Sequence, residues 1–231
     1  QLAALLAKQP QISFDTETTS VCARAAELVG LSFAWATGEA CYVPIKAPPG
    51  EPQLDLQAVL QIVRPILENP AIAKIGQNLK YDIIVLRAVG VDVRGVSFDS
   101  MVVDLLLEPG ERSHGMDDMA RRHLCHQTIT IDQLIGSGKK QKRMDEVPVS
   151  LIAEYAAEDA DVPLRLFAAL EPRLKGSGLY ELFTDLEMPL IDVLVEMEFN
   201  GMRIDTARLN ELSSDFAREI ERLKLEIFAI A

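Results

Sequence analysis

An α/β domain is the fold class this sequence predicts, and three patterns predict it. Stretches with strand-like character lie close together near the start, at residues 12–18, 27–35 and 40–45. Short apolar runs at 72–75 and 95–98 then alternate with helical spacing at 54–67, 78–89 and 100–107. A long amphipathic stretch, 150–170, follows a glycine- and lysine-rich loop.

In order along the chain, residues 1–9 read as the end of a helix closed by Pro10. The first strand alternates Ile12, Phe14 and Thr16 with Ser13, Asp15 and Glu17. Turn residues Thr37-Gly38-Glu39 join the second and third strands, so strands one to three form an antiparallel meander. The Pro- and Gly-rich stretch 47–52 is a loop, and Asn69-Pro70 stops the helix that follows it. Asp99 is placed to cap the helix at 100–107, and helical pieces come at 116–124 and 131–135. In Gly136-Ser137-Gly138-Lys139-Lys140-Gln141-Lys142-Arg143, four cations in five positions make a basic loop, read as solvated or as touching phosphate.

Composition narrows the function classes. At 231 residues, with 48% hydrophobic and 25% charged residues, the chain suits one or two domains with a real core. No apolar run approaches the roughly 20 residues of a membrane span, and no signal peptide opens it. The chain starts at Gln1, already within a helical pattern, so a fragment of a longer protein is expected. Cys22, Cys41 and Cys125 are too few and scattered for a disulfide framework, which points to a reducing cytosol. His123, Cys125 and His126 lack a fourth ligand nearby and read as structural or surface residues. A net charge of −12 argues against a nucleic-acid coat protein but permits an enzyme that grips a few nucleotides through metal ions.

The candidate chemistry is carboxylate chemistry. The period of two puts Asp15 and Glu17 on one face of the first strand, about 6–7 Å apart. Such a pair repels and is costly to desolvate, a cost that an oxygen-liganded cation offsets. Taken alone, the pair reads more readily as a strand end facing solvent. In the helix at 78–89, Leu79, Ile83 and Leu86 mark the buried stripe, and Asp82 lies about 40° from Leu86 on the helical wheel. An acid there reads equally as a ligand or as a structural hydrogen-bond acceptor. In the long helix the stripe runs Leu151, Tyr155, Asp159, Val162, Leu166, Leu170, so Asp159 occupies an inward position one turn from Tyr155. Glu158 and Asp161 read as a solvated face. Four inward carboxylates, Asp15, Glu17, Asp82 and Asp159, suit two divalent ions and phosphodiester hydrolysis.

These residues carry a resemblance. Phe14-Asp15-Thr16-Glu17-Thr18, Gly76-Gln77-Asn78-Leu79-Lys80-Tyr81-Asp82 and Tyr155-Ala156-Ala157-Glu158-Asp159-Ala160-Asp161 resemble, in order, the three motifs of the proofreading 3′–5′ exonuclease domain of bacterial DNA polymerases of the first type, with tyrosine in the third motif. The likeness covers roughly residues 10–175. Leu186-Glu187-Met188-Pro189-Leu190 through Asn200-Gly201-Met202-Arg203-Ile204-Asp205 resembles the entry to that family's polymerase thumb.

The resemblance implies a ribonuclease H-like three-layer α/β domain with a central mixed sheet over residues 1–175, and a C-terminal helical extension over 176–231. It implies two divalent ions, magnesium or manganese. Asp15, Glu17 and Asp159 would hold the first, Asp15 would bridge, and Asp82 would serve the second. Tyr155 and Glu17 would orient the attacking water, and Thr18, Val21, Gln77 and Asn78 would touch the terminal nucleotide of a single-stranded DNA 3′ end. The implied partners are that DNA and the palm and fingers of the same parent chain. The implied setting is a monomer in the cytoplasm, associated with the nucleoid. Two departures stand out. Pro163 removes a helical hydrogen bond to the Asp159 carbonyl, which predicts a kink. Ser113 replaces an arginine before His114, with Arg112 as its substitute. The rival readings are a ribonuclease D-like exoribonuclease, a non-catalytic scaffold domain and a plain cation-binding module.

Overall fold

The computed structural model describes residues 1–138, 141–230; Lys139 and Lys140 of the basic loop lie outside the described residues. These fall into two compact units, Gln1–Phe199 and Asn200–Ala231.

The first unit is built on a five-stranded sheet of order β3-β2-β1-β4-β5. After a short helix α1 (Leu2–Leu6), the chain enters β1 (Gln11–Thr18), then β2 (Leu28–Ala36) and β3 (Glu39–Pro44). These three pair antiparallel, as the meander reading requires. Helix α2 (Leu56–Leu67) then carries the chain over to β4 (Ala73–Gly76), which pairs parallel to β1. Helix α3 (Leu79–Ala88) leads to β5 (Val96–Asp99), parallel to β4, and α4 (Ser100–Leu107) follows directly. The sheet is therefore mixed.

Both faces are covered. On one side Ile12, Phe14, Leu31 and Phe33 pack with Leu60 and Leu67 of α2 and Leu79 and Leu86 of α3. On the other, Ala34, Ile75 and Phe98 pack with Met119 of α5 (Met116–Leu124) and with Ala160, Leu166 and Leu170 of α7 (Val149–Gly176). As a central strand with helices above and below, β1 buries Ser13 and Glu17 as well as Ile12 and Phe14.

Local chemistry explains the boundaries that matter for the site. Asp55 caps α2 by accepting from the Ala58 N–H at 2.9 Å. Asp99 caps α4 as the sequence predicts, accepting from the Met101 N–H at 3.0 Å. Its carboxylate also accepts from the N–H groups of Asn78 and Leu79, at 3.1 and 2.7 Å, so one buried acid staples the starts of two helices. Asn78 takes a left-handed conformation (φ 53°) to make that turn. Gly76 sits just before it with no room for a side chain, since a Cβ would lie 2.3 Å from Leu79 Cδ2.

Two expectations change. Leu151 is exposed; the buried face of α7 starts instead at Ile152 and Ala156, which pack on Val29, Met144 and Val147. Helix α7 also runs on past residue 170 to Gly176, continuing through both Pro163 and Pro172.

Between α5 and α7 lie the short helix α6 (Ile131–Ile135) and a single turn at Met144–Glu146. After α7 come α8 (Tyr180–Leu182), a π-helical turn (Phe183–Glu187) and α9 (Met188–Asn200). In the second unit, α10 (Thr206–Ile230) is an amphipathic helix with no buried residues. No helix of the described residues is long and apolar enough to cross a membrane.

Candidate metal centre and nucleic-acid groove

The site forms where β1 ends. The register of β1 against β2 slips between Glu17 and Thr18, a bulge that re-aims the side chains at the sheet edge. Opposite Glu17 the partner is Gly30, over which the Tyr42 ring lies; a Cβ there would come within 2.1 Å of the Tyr42 hydroxyl. Glycine thus lets an aromatic ring floor the site beneath Glu17.

Asp15 and Glu17 come from β1, and Asp159 from α7, which packs across β1 to β4. Carboxylate oxygens of these three lie within 4.8 Å of one another. Two of their oxygens, Glu17 Oε1 and Asp159 Oδ1, are buried and have no hydrogen-bond partner. A buried anionic oxygen without a donor costs several kcal/mol (roughly 1–3 or more). A hard divalent cation is the partner such a set of oxygens fits.

Asp82, from the first turn of α3, approaches from the other side but is not part of that trio. Its Oδ1 accepts from the backbone N–H of Thr16 at 3.0 Å and from the Thr16 hydroxyl at 2.5 Å. It therefore stands against the residue between Asp15 and Glu17, with its second oxygen outside those bonds.

The electrostatics follow from burial and crowding. Desolvation lifts the Asp15 carboxyl to about 7, partly offset by a backbone hydrogen bond at Thr16. Glu17 is raised well above the carboxylate range by burial, then by the charges of Asp15, Asp159 and Asp82. Asp82 rises through burial and the Asp15 charge, with Thr16 working against the shift. Asp159 rises through burial and Asp15, countered by its hydrogen bond from Tyr155. Burial first, and then the surrounding carboxylates, push the Tyr155 hydroxyl far upward, so it stays a protonated donor.

Beside the acids lies an open groove of about 740 Å³, lined by Thr16, Glu17, Thr18, Val21, Asn78 and Tyr81 together with Ile131, Ile135, Lys142 and Arg143. Three of the four residues expected at the terminal nucleotide, Thr18, Val21 and Asn78, line it. Val21 is an apolar side chain that is 98% exposed among the described residues. The fourth, Gln77, turns its amide inward, donating to the His114 carbonyl at 3.0 Å and accepting from Ser100. Tyr81, Ile131 and Ile135 escape a reading from sequence; Tyr81, next to Asp82, donates to the Ser20 carbonyl at 2.5 Å and contacts Thr18.

His123 and His126 take structural partners, as expected, and so does His114. His114 and His123 both bond the fully buried Asp104, at 2.6 and 2.7 Å, together with Arg122. His126 bonds Glu158 at 2.7 Å. Glu158 and Asp161 do not form the solvated face predicted. Glu158 also accepts from the Ile129 N–H, and Asp161 accepts from the Gly38 N–H at 2.7 Å. The helix α7 is surrounded by loops whose N–H groups need acceptors.

Residues 1–175 match the family described as 3′–5′ exonuclease. The chain is 41% identical over 225 residues to DNA polymerase I of Pseudomonas aeruginosa, covering 95% of this chain and 25% of that protein. The chain belongs to the 3′–5′ exonuclease family of DNA polymerase I. DNA polymerase I of Rhizobium leguminosarum is 38% identical over 239 residues, covering 95% of this chain and 23% of that protein. The chain thus spans about a quarter of the length of the relatives it matches. Among solved structures, the POL domain of Pol1 from M. smegmatis in complex with DNA primer-template and dNTP superposes with TM-score 0.75 at 21% identity, over 96% of this chain and 34% of that one. Escherichia coli RNase D superposes with TM-score 0.63 at 19% identity, over 85% of this chain and 48% of that one. These likenesses bear out the ribonuclease H-like α/β fold.

Proposed function

We propose that the chain hydrolyses the 3′-terminal phosphodiester bond of single-stranded or frayed DNA and releases nucleoside 5′-monophosphates, using two divalent ions, magnesium or manganese. The observation that carries this reading is the trio Asp15, Glu17 and Asp159, with oxygens within 4.8 Å and two of them buried without a donor. These three residues would hold one ion, and Asp15 with Asp82 would serve the other. When bound, such ions lower the pKa of water toward neutrality and stabilise charge on the scissile phosphate and leaving oxygen.

The rest falls to the chain's own groups. Tyr155, kept protonated by burial and by the carboxylates around it, donates a hydrogen bond and acts with Glu17 to orient the attacking water. Thr16 fixes Asp82 through two bonds, so that ligand does not need to reorganise. Thr18, Val21 and Asn78 form the wall against which the terminal nucleotide rests, with Gln77 behind them. Residues 176–231 read as the start of the polymerase portion of a cytoplasmic, monomeric parent chain.

The test is a time course on DNA and RNA oligonucleotides of one sequence, with the products identified. Nucleoside 5′-monophosphates released faster from DNA support the proposal. A clear preference for RNA would favour the ribonuclease D-like reading.

A further inference from the structure

Helix α6 is a groove wall with little holding it in place. It has five residues, buries none of them, and presents Ile131 and Ile135 to the groove beside the acids. Leu134 and Ile135 only rest against the small apolar cluster around Val29 and Ile152. Isolated helices this short are unstable in water, so its position must come from tertiary ties.

At the C-terminal end of α6 the Lys142 N–H donates to the Ile135 carbonyl at 2.9 Å; ahead of its N-terminal end, two ties converge on one side chain. Glu158 Oε1 accepts from His126 Nε2 at 2.7 Å, and Glu158 Oε2 accepts from the Ile129 N–H at 2.6 Å. Both oxygens are thus spent on the connection 125–130 that delivers α6. The Glu158 side chain is only 18% exposed, so these charge-assisted bonds are shielded from water. A further bond, Thr128 Oγ1 to Asp117 Oδ1 at 2.6 Å, holds the same connection to α5.

Glu158 directly precedes Asp159 on α7. We propose that Glu158 is a positioning residue: it fixes the distance between the carboxylate centre and the α6 wall, and so sets how the nucleic-acid strand behind the terminal nucleotide is held. The inference rests on the exonuclease reading above. Asp159 places the reacting phosphate, while its neighbour places the wall, and one helix turn carries both. Glu158 touches no reacting atom, so its loss acts mainly on the binding of a strand; its charge also pushes the neighbouring Asp159 carboxyl upward, an effect that the ester substrate reads separately.

The test uses two substrates: a single-stranded DNA oligonucleotide, which reaches the α6 wall, and the p-nitrophenyl ester of thymidine 5′-monophosphate, which has no second nucleotide. In Glu158→Ala, KM for the oligonucleotide should rise about tenfold or more, because the α6 wall loses its fixed position. Its kcat, and hydrolysis of the ester, should stay close to the parent values. Glu158→Gln should restore KM, because its amide can accept from the Ile129 N–H and donate to the other tautomer of His126. His126→Ala removes one of the two bonds from the far side and should give an intermediate KM; it decides the matter if Glu158→Ala does not fold. Equal losses on both substrates, or unchanged KM in Glu158→Ala and His126→Ala, would overturn the proposal. An inactive parent chain would instead defeat the exonuclease reading itself, and the two failures are told apart on the unmutated protein.

Discussion

Thr16 and Asp82 lie 66 residues apart in sequence, yet they are joined twice, by the Thr16 backbone N–H and by its hydroxyl, both to Asp82 Oδ1. The residue between two of the clustered acids thereby holds the fourth acid in place from a different helix. Thr16→Val keeps the backbone bond and the strand propensity but removes the hydroxyl. We expect kcat to fall about tenfold, the cost of one lost buried hydrogen bond, and half-maximal activity to need more manganese. Metal titrations of the exonuclease rate in both proteins check it; an unchanged metal dependence would mean that Asp82 needs no such support.

Asp82→Ala and Asp159→Ala should each lower the rate by several orders of magnitude, because metal and electrostatic terms supply several kcal/mol (roughly 3–4 for a single group). Tyr155→Phe removes only a water-orienting donor, and a loss of about 10–1000-fold is expected. Single-turnover rates on one oligonucleotide rank the three. A Tyr155→Phe protein as inactive as Asp82→Ala would contradict the role given to Tyr155.

Removing Asp82 should act on stability in two opposite directions. In chelator, Asp82→Ala should melt within a few degrees of the parent, since losing a desolvated carboxylate that repels Asp15 offsets the two Thr16 donors left without their acceptor. Its gain in Tm on adding manganese should shrink, because ligand binding stabilises the folded state by RT ln(1 + [L]/Kd). A drop of several degrees in chelator with the manganese gain intact would make Asp82 a structural residue.

The same crowding gives a pH dependence. Asp15 has a folded pKa of about 7 against an ordinary value of 3.8, and Glu17, Asp82 and Asp159 shift in the same direction. A raised folded pKa means that protons favour the folded state. The contribution of Asp15 is complete below its unfolded value and is lost as pH rises through about 7. Melts in chelator should therefore show this contribution fading from about pH 4 to 7, and manganese should flatten the trend by stabilising the ionised cluster. A metal-free Tm that rises steeply over that interval would contradict the arrangement of these acids.

Much of this was legible in the sequence because periodicity and punctuation agreed. The meander, the cap at Asp99 and the inward turn of Asp159 all follow from local spacing. What was not legible depends on distant partners. Glu158 and Asp161 look like a solvated face, and only the fold shows the N–H groups of Ile129 and Gly38 that they satisfy. Leu151 fits the helical stripe but is exposed, because the cluster around Val29 and Met144 meets α7 at Ile152 instead. Lys74 is a different case: a lysine in a four-residue strand, fully buried, whose ammonium donates to the nearby carbonyls of Asn69 and Ile72 at 2.5 and 2.8 Å. Backbone carbonyls carry no residue-type signal, so the sequence does not mark the lysine as buried. Gln77, placed at the nucleotide by resemblance, has its amide turned toward Ser100 and His114, a detail carried by residues more than twenty positions away.

The central claim is that carboxylates at the end of β1 and on α7 gather divalent ions to cut DNA from its 3′ end. The most direct test is a single-stranded DNA labelled at its 5′ end, incubated with the chain in magnesium and then in chelator. The account predicts a ladder of progressively shorter labelled strands in magnesium and intact DNA in chelator. Immediate release of the labelled 5′ nucleotide, or shortening that continues in chelator, would contradict it.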